Sequence, residues 1–283
     1  MFLQQLVNGL VVGSVYALVA LGYTMIYGIL GIINFAQGEI YMYGAFGAVL
    51  TLAATGNLGL AVLAGIGSAC IVGVILERIA FRPLRGTHPL IPLISAIGAS
   101  IFLSSLARLL FGPDDRSFPL EFHPASHSIF GAAQVTGLQL VIMCVSVGLM
   151  VILTLFVNLT KHGKAILAVE MDREAALIMG INTERINSLS FGIGSALVGV
   201  AGALLATHYY IYPFVGGTFG LICFCIVALG GFGSIEGAFI AGILVGVAQT
   251  VGGYLFNPAY KLAIVFLMYL ITVWIRPQGF RGW

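Results

Sequence analysis

Residues Lys161–Arg185 read KHGKAILAVEMDREAALIMGINTER. This short segment holds four of the chain's 12 Lys/Arg and, in Glu170, Asp172, Glu174 and Glu184, four of its 10 acidic residues. Long apolar runs flank it, at about 137–159 and 189–210. Runs of that length are membrane spans, because about 20 mostly apolar residues suffice to cross a bilayer. The charged island between them therefore sits in water at the membrane surface. It is the place where such a chain would meet a soluble partner.

The composition agrees with this reading. Only 8% of the 283 residues are charged, 60% are hydrophobic, and the mean hydropathy is +1.08. A soluble domain carries roughly 25% charged residues, so this chain belongs in a bilayer, with room for roughly eight to ten spans. The net charge of +2 has no basic block suited to nucleic acid. Cys70, Cys144, Cys223 and Cys225 all lie in apolar runs and read as small buried hydrophobes, not as disulfides or zinc ligands. The first Lys or Arg is Arg78, so no basic leader region is seen and the first apolar run is expected to remain as a helix. The 38 glycines point to close helix packing, since small residues let backbones approach in lipid. Gly9/Gly13, Gly216/Gly220, Gly233/Gly237 and Gly242/Gly246 each show the four-residue spacing.

Nine apolar runs follow one another, at about 5–30, 40–55, 58–76, 89–111, 137–159, 189–210, 217–232, 237–256 and 260–275. Between the first two lies Gly31-Ile-Ile-Asn-Phe-Ala-Gln-Gly-Glu39. Asn34, Gln37 and Glu39 are costly in hydrocarbon and must face protein, water or the surface. With the short second run, they suggest a broken or re-entrant helix near 31–40, against the alternative of a plain interfacial loop. A polar segment at 112–136 separates the fourth and fifth runs.

Orientation follows from basic residues gathering on the cytoplasmic side. Placing the Arg78–Arg85 segment, the island and the tail Arg276–Arg281 inside accounts for nine of the 12 Lys/Arg, and the number of runs between these regions is even. Arg108, Arg116 and Lys261 fall near the outer ends. If the first two runs both cross, the amino terminus is outside and there are nine spans. If the second is re-entrant, there are eight and it is inside.

On one continuous helix, Leu167, Met171, Ala175, Ile178 and Met179 share an arc of about 120°, and Glu170, Arg173 and Glu174 fall outside it, with Asp172 at its border. Gly180 is placed to end this helix, and Asn182 or Thr183 to cap the next. A short amphipathic surface helix of this kind either rests on the membrane interface or enters a groove of a soluble partner. The G-x-x-x-x-G-K-[ST] phosphate loop is missing, because Gly163-Lys164 is followed by Ala165 without the upstream glycine pattern. Ordinary ATP binding by the chain itself is thereby excluded. His123 and His127 with Asp114 and Asp115 are a weak metal candidate in the outer segment, against a solvated docking loop. His208 with its tyrosine neighbours reads as an interfacial group.

Glu174-Ala-Ala-x-x-x-Gly180 resembles the cytoplasmic motif by which permeases of ABC importers engage their ATPase subunits. The wider pattern is similar to the branched-chain amino-acid permeases of the LivH type. It includes residues 8–47, NGLVVGSVYALVALGYTMIYGILGIINFAQGEIYMYGAFG, residues 77–101, ERIAFRPLRGTHPLIPLISAIGASI, and residues 164–194. It continues with LGGFGSIEGA at 229–238 and RPQG at 276–279. Glu236 departs from the pattern, where a less polar residue, often proline, is expected, and the outer segment has its own sequence.

The resemblance implies an all-α polytopic membrane protein of eight to nine spans with Gly-rich packing. It implies one permease domain over 1–283, a periplasmic loop at 112–136 and a cytoplasmic coupling region at 160–188. Glu170, Asp172, Arg173, Glu174, Ala175 and Gly180 become ATPase-coupling residues. Asn34, Gln37, Glu39 and Glu236 become candidate polar groups of a pathway or gate, or else partners of unwound backbone. The implied partners are a second homologous permease, two ATPases that hold ATP and Mg, a periplasmic substrate-binding protein and the bilayer of the inner membrane. The chain itself would have no catalytic site and no bound cofactor or metal. Within the same architecture, urea or short amides are the nearest alternative substrates. A self-sufficient channel or an ion-coupled secondary transporter is the rival class. Against it stands the lack of paired intramembrane acids beyond Glu39 and Glu236.

Overall fold

The computed structural model describes residues 2–116, 126–129, 133–207, 210–276 and 278–280. Most of these are helical, as hydrocarbon demands: a helix pairs its backbone N–H and C=O groups within one segment, where no water can. In chain order the helices are α1 (Phe2–Leu30), α2 (Gln37–Thr55), α3 (Leu58–Leu76), α4 (Leu90–Phe111), α5 (Gly137–Leu159) and α6 (Lys161–Met171). There follow α7 (Arg173–Ile178), α8 (Thr183–Leu205), α9 (Val215–Gly230), α10 (Ile235–Leu255) and α11 (Lys261–Ile275). An antiparallel hairpin of β1 (Ser126–Ile129) and β2 (Ala133–Thr136) precedes α5. Residues 117–125 and 130–132 of the outer segment lie outside the described residues, and His123 with them, as do His208, Pro277 and Arg281.

Each of the nine apolar runs is a helix, and the architecture is all-α and polytopic. Seven described helices are long and apolar enough to cross a membrane. The expected eight to nine spans would also need α2, which is polar in its first turn, or α9, which has 16 residues. The interruption expected near 31–40 is confined to residues 31–36. Gly31 ends α1 with φ 62, and α2 resumes at Gln37 because Asn34 starts it: Ala36 N donates to Asn34 Oδ1 at 3.0 Å and Gln37 N to the Asn34 carbonyl at 3.1 Å.

The described residues form two compact units. One is drawn from residues 1–21, 120–151 and 222–283. Its centre is the crossing of α1 with α10, where glycines bring the backbones together. A Cβ built on Gly13 would lie 2.8 Å from Ile243 Cα, and one on Gly242 2.6 Å from Ala17 Cα. Gly9 and Gly246 continue the same seam. The Gly233/Gly237 pair does not form such a stripe. Gly233 has φ 82 in the turn before α10, and only Gly237 packs, against Gly230. The hairpin is fastened by Gln4, which donates to the Gln134 carbonyl at 2.9 Å and accepts from Gln134 N at 2.8 Å.

The other unit is drawn from residues 22–119 and 152–221. Here α2, α3 and α8 pack together over Gly44, Gly65 and Gly199, with Ser68 Oγ donating to the Tyr43 carbonyl at 3.1 Å. Phe46 stacks on Phe111 at 4.4 Å between centroids, and Tyr43 donates to the Leu103 carbonyl at 3.1 Å, which fastens α4 to α2. Arg116 and Ile211 exchange both backbone hydrogen bonds, at 2.9 and 2.8 Å.

The charged segment after α3 is not a solvated loop. The helix continues through a π turn, Glu77–Phe81, and a 3-10 turn, Arg82–Leu84. Glu77 is fully buried, forms an ion pair with Arg85 and accepts from Ser188 Oγ of α8 at 3.1 Å. Asn187, with its amide turned to suit its neighbours, donates to the Thr183 carbonyl at 3.1 Å and accepts from Arg85 Nη1 at 3.3 Å. A second pair, Arg82 with Glu184, is open to solvent.

Two stability predictions follow from this packing. Gly246→Leu drives a side chain into the α1 backbone and should cost about 1–3 kcal/mol or more, read as a lower unfolding temperature in detergent. Glu77→Gln strands Arg85 and should cost about 3–5 kcal/mol, whereas Arg82→Gln, at the exposed pair, should cost about 1 kcal/mol or less. Equal effects of the last two would overturn the distinction between the pairs.

Candidate functional site

The island folds as two short helices rather than one. Thr160 opens α6, its Oγ1 accepting from Gly163 N at 2.9 Å. Gly163 sits so close to the backbone of Phe156 and Val157 that a side chain has no room. At Asp172 the backbone turns to φ −155 and ψ 109, which ends α6. The Asp172 carboxylate then accepts from Glu174 N at 2.9 Å and Ala175 N at 3.0 Å, so the residue that breaks the first helix caps the second. At the far end of α7, Gly180 takes φ 83. Gly180 N donates to the Leu177 carbonyl and Ile181 N to the Ala176 carbonyl, both at 3.0 Å, which together form a Schellman cap. Asn182 Oδ1 accepts from Arg185 N at 3.0 Å and starts α8.

The break changes which face is buried. Ile166, Val169 and Ala176 point inward. The stripe expected from one continuous helix is instead left uncovered by the rest of the chain, with Met171 87%, Ile178 86% and Met179 81% exposed. Ala175 is exposed and Leu167 half-buried. The structure thus leaves apolar side chains exposed at both ends of a small, doubly capped element that also carries the exposed charges of Arg173 and Glu174. Glu170 is exposed as a residue, but its carboxylate rests against Gly28 of α1, and this desolvation raises its pKa above the usual carboxylate range.

The candidate pathway residues are divided between the two units. Asn34, Gln37 and Glu39 are buried in the second unit, whereas Glu236 is exposed in the first turn of α10, in the other. Asn34 supports backbone, as described, and its Nδ2 donates to Gln37 Oε1 at 3.1 Å. Glu39 Oε1 accepts from Ser100 Oγ of α4 at 3.1 Å, while Glu39 Oε2 lies against Gly216 without a hydrogen-bond partner. Gln37 Nε2 also lacks one.

Sequence reasoning missed two features. Ser100 and Ser104, one turn apart on α4, face the Glu39 region, Ser104 Oγ donating to the Ser100 carbonyl at 3.0 Å. Their four-residue spacing in an apolar run was the available signal. Glu77 and Arg85, eight residues apart, were counted only as charges.

Residues 5–273 match the family model described as branched-chain amino acid transport system / permease component. The high-affinity branched-chain amino acid transport system permease protein LivH of Escherichia coli is 40% identical over 294 aligned residues, covering 99% of this chain and 96% of its own. BraD of Pseudomonas aeruginosa, a permease protein of the same description, is 42% identical over 296, with the same coverage. Among solved structures, PsaBC from Streptococcus pneumoniae, in complex with Fab, shares the fold at a TM-score of 0.53 and 15% identity, covering 98% of this chain and 93% of that one. The likeness runs almost end to end and takes in both units, the buried Glu39 region and the doubly capped island: the chain belongs to the family of branched-chain amino acid transport system permease components.

Proposed function

We propose that this chain is the membrane-spanning permease subunit of an ATP-driven importer of branched-chain or related hydrophobic amino acids, set in the inner membrane. The observation that carries the reading is the near-full-length identity to LivH and BraD, whose names state that transport. The site supports it. A soluble ATPase needs a rigid, partly apolar contact, and Met171, Ile178 and Met179 supply one between charges that fix its orientation. In this reading the chain works with a second homologous permease, two ATPases that carry ATP and Mg, and a periplasmic binding protein.

Movement of α7 on the ATPase passes through Gly180–Asn182 into α8, and from α8 to α3 through Ser188, Asn187 and the Glu77–Arg85 pair. Such transmission is rigid-body rocking between inward- and outward-open states. ATP shifts that balance only by its preference for one of them. Asn34, Gln37 and Glu39 serve as polar groups of the pathway through the second unit. The amino terminus lies outside. Ile29 and Leu30 at the end of α1, and Ile32 just after it, line the same cavity as Arg85 and Asn187, which supports a crossing of α1 toward the basic, cytoplasmic side.

Two experiments check this reading. Gly180→Pro removes the Gly180 N–H bond and forbids φ 83, so leucine uptake by the reconstituted importer should fall roughly tenfold or more while the ATPases keep hydrolysing, a loss within the usual span of coupling energies. Unchanged uptake would end the coupling role. With the four native cysteines replaced, Phe2→Cys should react with an impermeant thiol reagent added outside intact spheroplasts; reaction only after lysis would reverse the orientation.

A further inference from the structure

A cavity of about 60 Å³ lies where the end of α1, the turns after α3 and the start of α8 meet in the second unit. Its lining includes Arg85, Arg173 and Asn187 together with Ile32, Phe81 and Leu84. Two guanidinium groups therefore share one small space, and the field of Arg173 acts against the charge of Arg85. Arg85 is compensated by Glu77, but among the described residues no carboxylate pairs with Arg173. The cavity carries net positive charge on one part of its wall and is apolar on the rest. Ile79 and Leu90, each two residues in sequence from a lining residue, are 72% and 57% exposed.

This lining discriminates among anions. A free amino acid would bring an ammonium group, and no Asp or Glu lines the cavity to receive it. Inorganic phosphate would satisfy the guanidinium groups but leave the apolar wall without an occupant. An anion continued by apolar material uses both parts. We propose that Arg85, Arg173 and Asn187 form a binding site for the phosphate of an acidic phospholipid of the inner leaflet, its glycerol and upper acyl segments lying against Ile32, Phe81 and Leu84. Basic pockets between helices at the cytoplasmic face suit such headgroups, and Arg matches phosphate oxygens in planar, paired fashion. Because Arg173 opens α7 and Asn187 lies in α8, the bound lipid would bridge the island to the spans. The proposal rests on the cytoplasmic placement of this end of the unit.

The test uses the complete complex purified in detergent, titrated with phosphatidylglycerol or phosphatidylcholine and read by native mass spectrometry, beside Arg173→Gln and, as a control, Lys164→Gln. Lys164 is an exposed basic residue of the island outside the cavity lining. Phosphatidylglycerol should bind the wild type about fivefold more tightly than it binds Arg173→Gln, the factor expected for one basic residue near a lipid headgroup. Phosphatidylcholine should not distinguish them, and Lys164→Gln should bind as the wild type does. Equal phosphatidylglycerol binding by wild type and Arg173→Gln, or an equal loss in Lys164→Gln, would overturn the site. Displacement of the lipid by millimolar inorganic phosphate would show a free-oxyanion site and overturn the lipid as occupant. Leucine-stimulated ATP hydrolysis by the wild type, measured on the same preparation, tests the importer reading separately, so either can fail without the other.

Discussion

An ionised carboxylate shut away from water is costly unless it is paired, and in this chain Glu77 pairs with Arg85 and accepts a hydrogen bond from Ser188. Such a pair adds little net stability compared with apolar residues of the same volume, because desolvating both charges offsets their attraction. What it does fix is register. Glu77 is the residue at which α3 passes into its π turn, Ser188 lies one turn into α8, and Arg85 comes just after the 3-10 turn. Sliding any of these three segments past another would leave a buried charge alone, at a cost of several kcal/mol. The exposed Arg82–Glu184 pair links the same elements but has water as an alternative partner, so it constrains far less. At the end of the second unit nearest the island, this buried interaction fixes the register of α3 against α8.

Farther along the helices, glycine takes over the same task. In lipid no hydrophobic effect presses helices together, so association depends on close van der Waals contact. Gly13, Gly242 and Gly246 supply it in one unit, and Gly44, Gly65 and Gly199 in the other. Contact energy of this kind falls steeply with a gap of less than an ångström. A seam of glycines is therefore either closed or lost, with little elastic range between. Packed cores switch between discrete arrangements for this reason, and helices joined through such seams behave as blocks. Rocking of whole blocks suits these interfaces better than bending within them.

What could be read beforehand divides along the line between local and distant interactions. The nine apolar runs became nine helices because hydrocarbon leaves the backbone no other choice. The caps at Gly180 and Asn182 were legible because a cap depends only on residues within one turn. The island was misread as one helix because a wheel carries its phase through every residue, and Asp172 resets it. The competing signal was present: an Asp placed to accept from the N–H groups two and three residues on is an N-cap pattern, and here the cap won. Gly233 misled in a similar way, since four-residue spacing says nothing of a turn between the two positions. The Glu77–Ser188 bond spans 111 residues of sequence, and the placement of Glu39 beside Ser100 spans 61. Those pairings depend on the packed fold, which no single stretch announces. Glu236 lies exposed in the first turn of α10.

The two caps also explain how α7 can be a useful contact at all. A helix of six residues is far below the length at which helical structure sustains itself in water, because nucleation costs more than so few hydrogen bonds return. Packing gives little help, since Ala176 is its one buried residue. The conformation is instead held at its ends, by the Asp172 carboxylate on two N–H groups and by the Schellman bonds around Gly180. This arrangement frees the rest of the surface. Side chains that would otherwise be spent on an interior are left outward, and Ile178 and Met179 can stay exposed without the element unravelling. An element stabilised through its ends keeps its shape without an interior, and Gly180–Asn182 join it directly to α8. The same logic accounts for the break at Asp172. One continuous helix would have turned Met171 and Met179 onto a single buried stripe, giving a firmer rest on the membrane and no exposed apolar side chains for a partner.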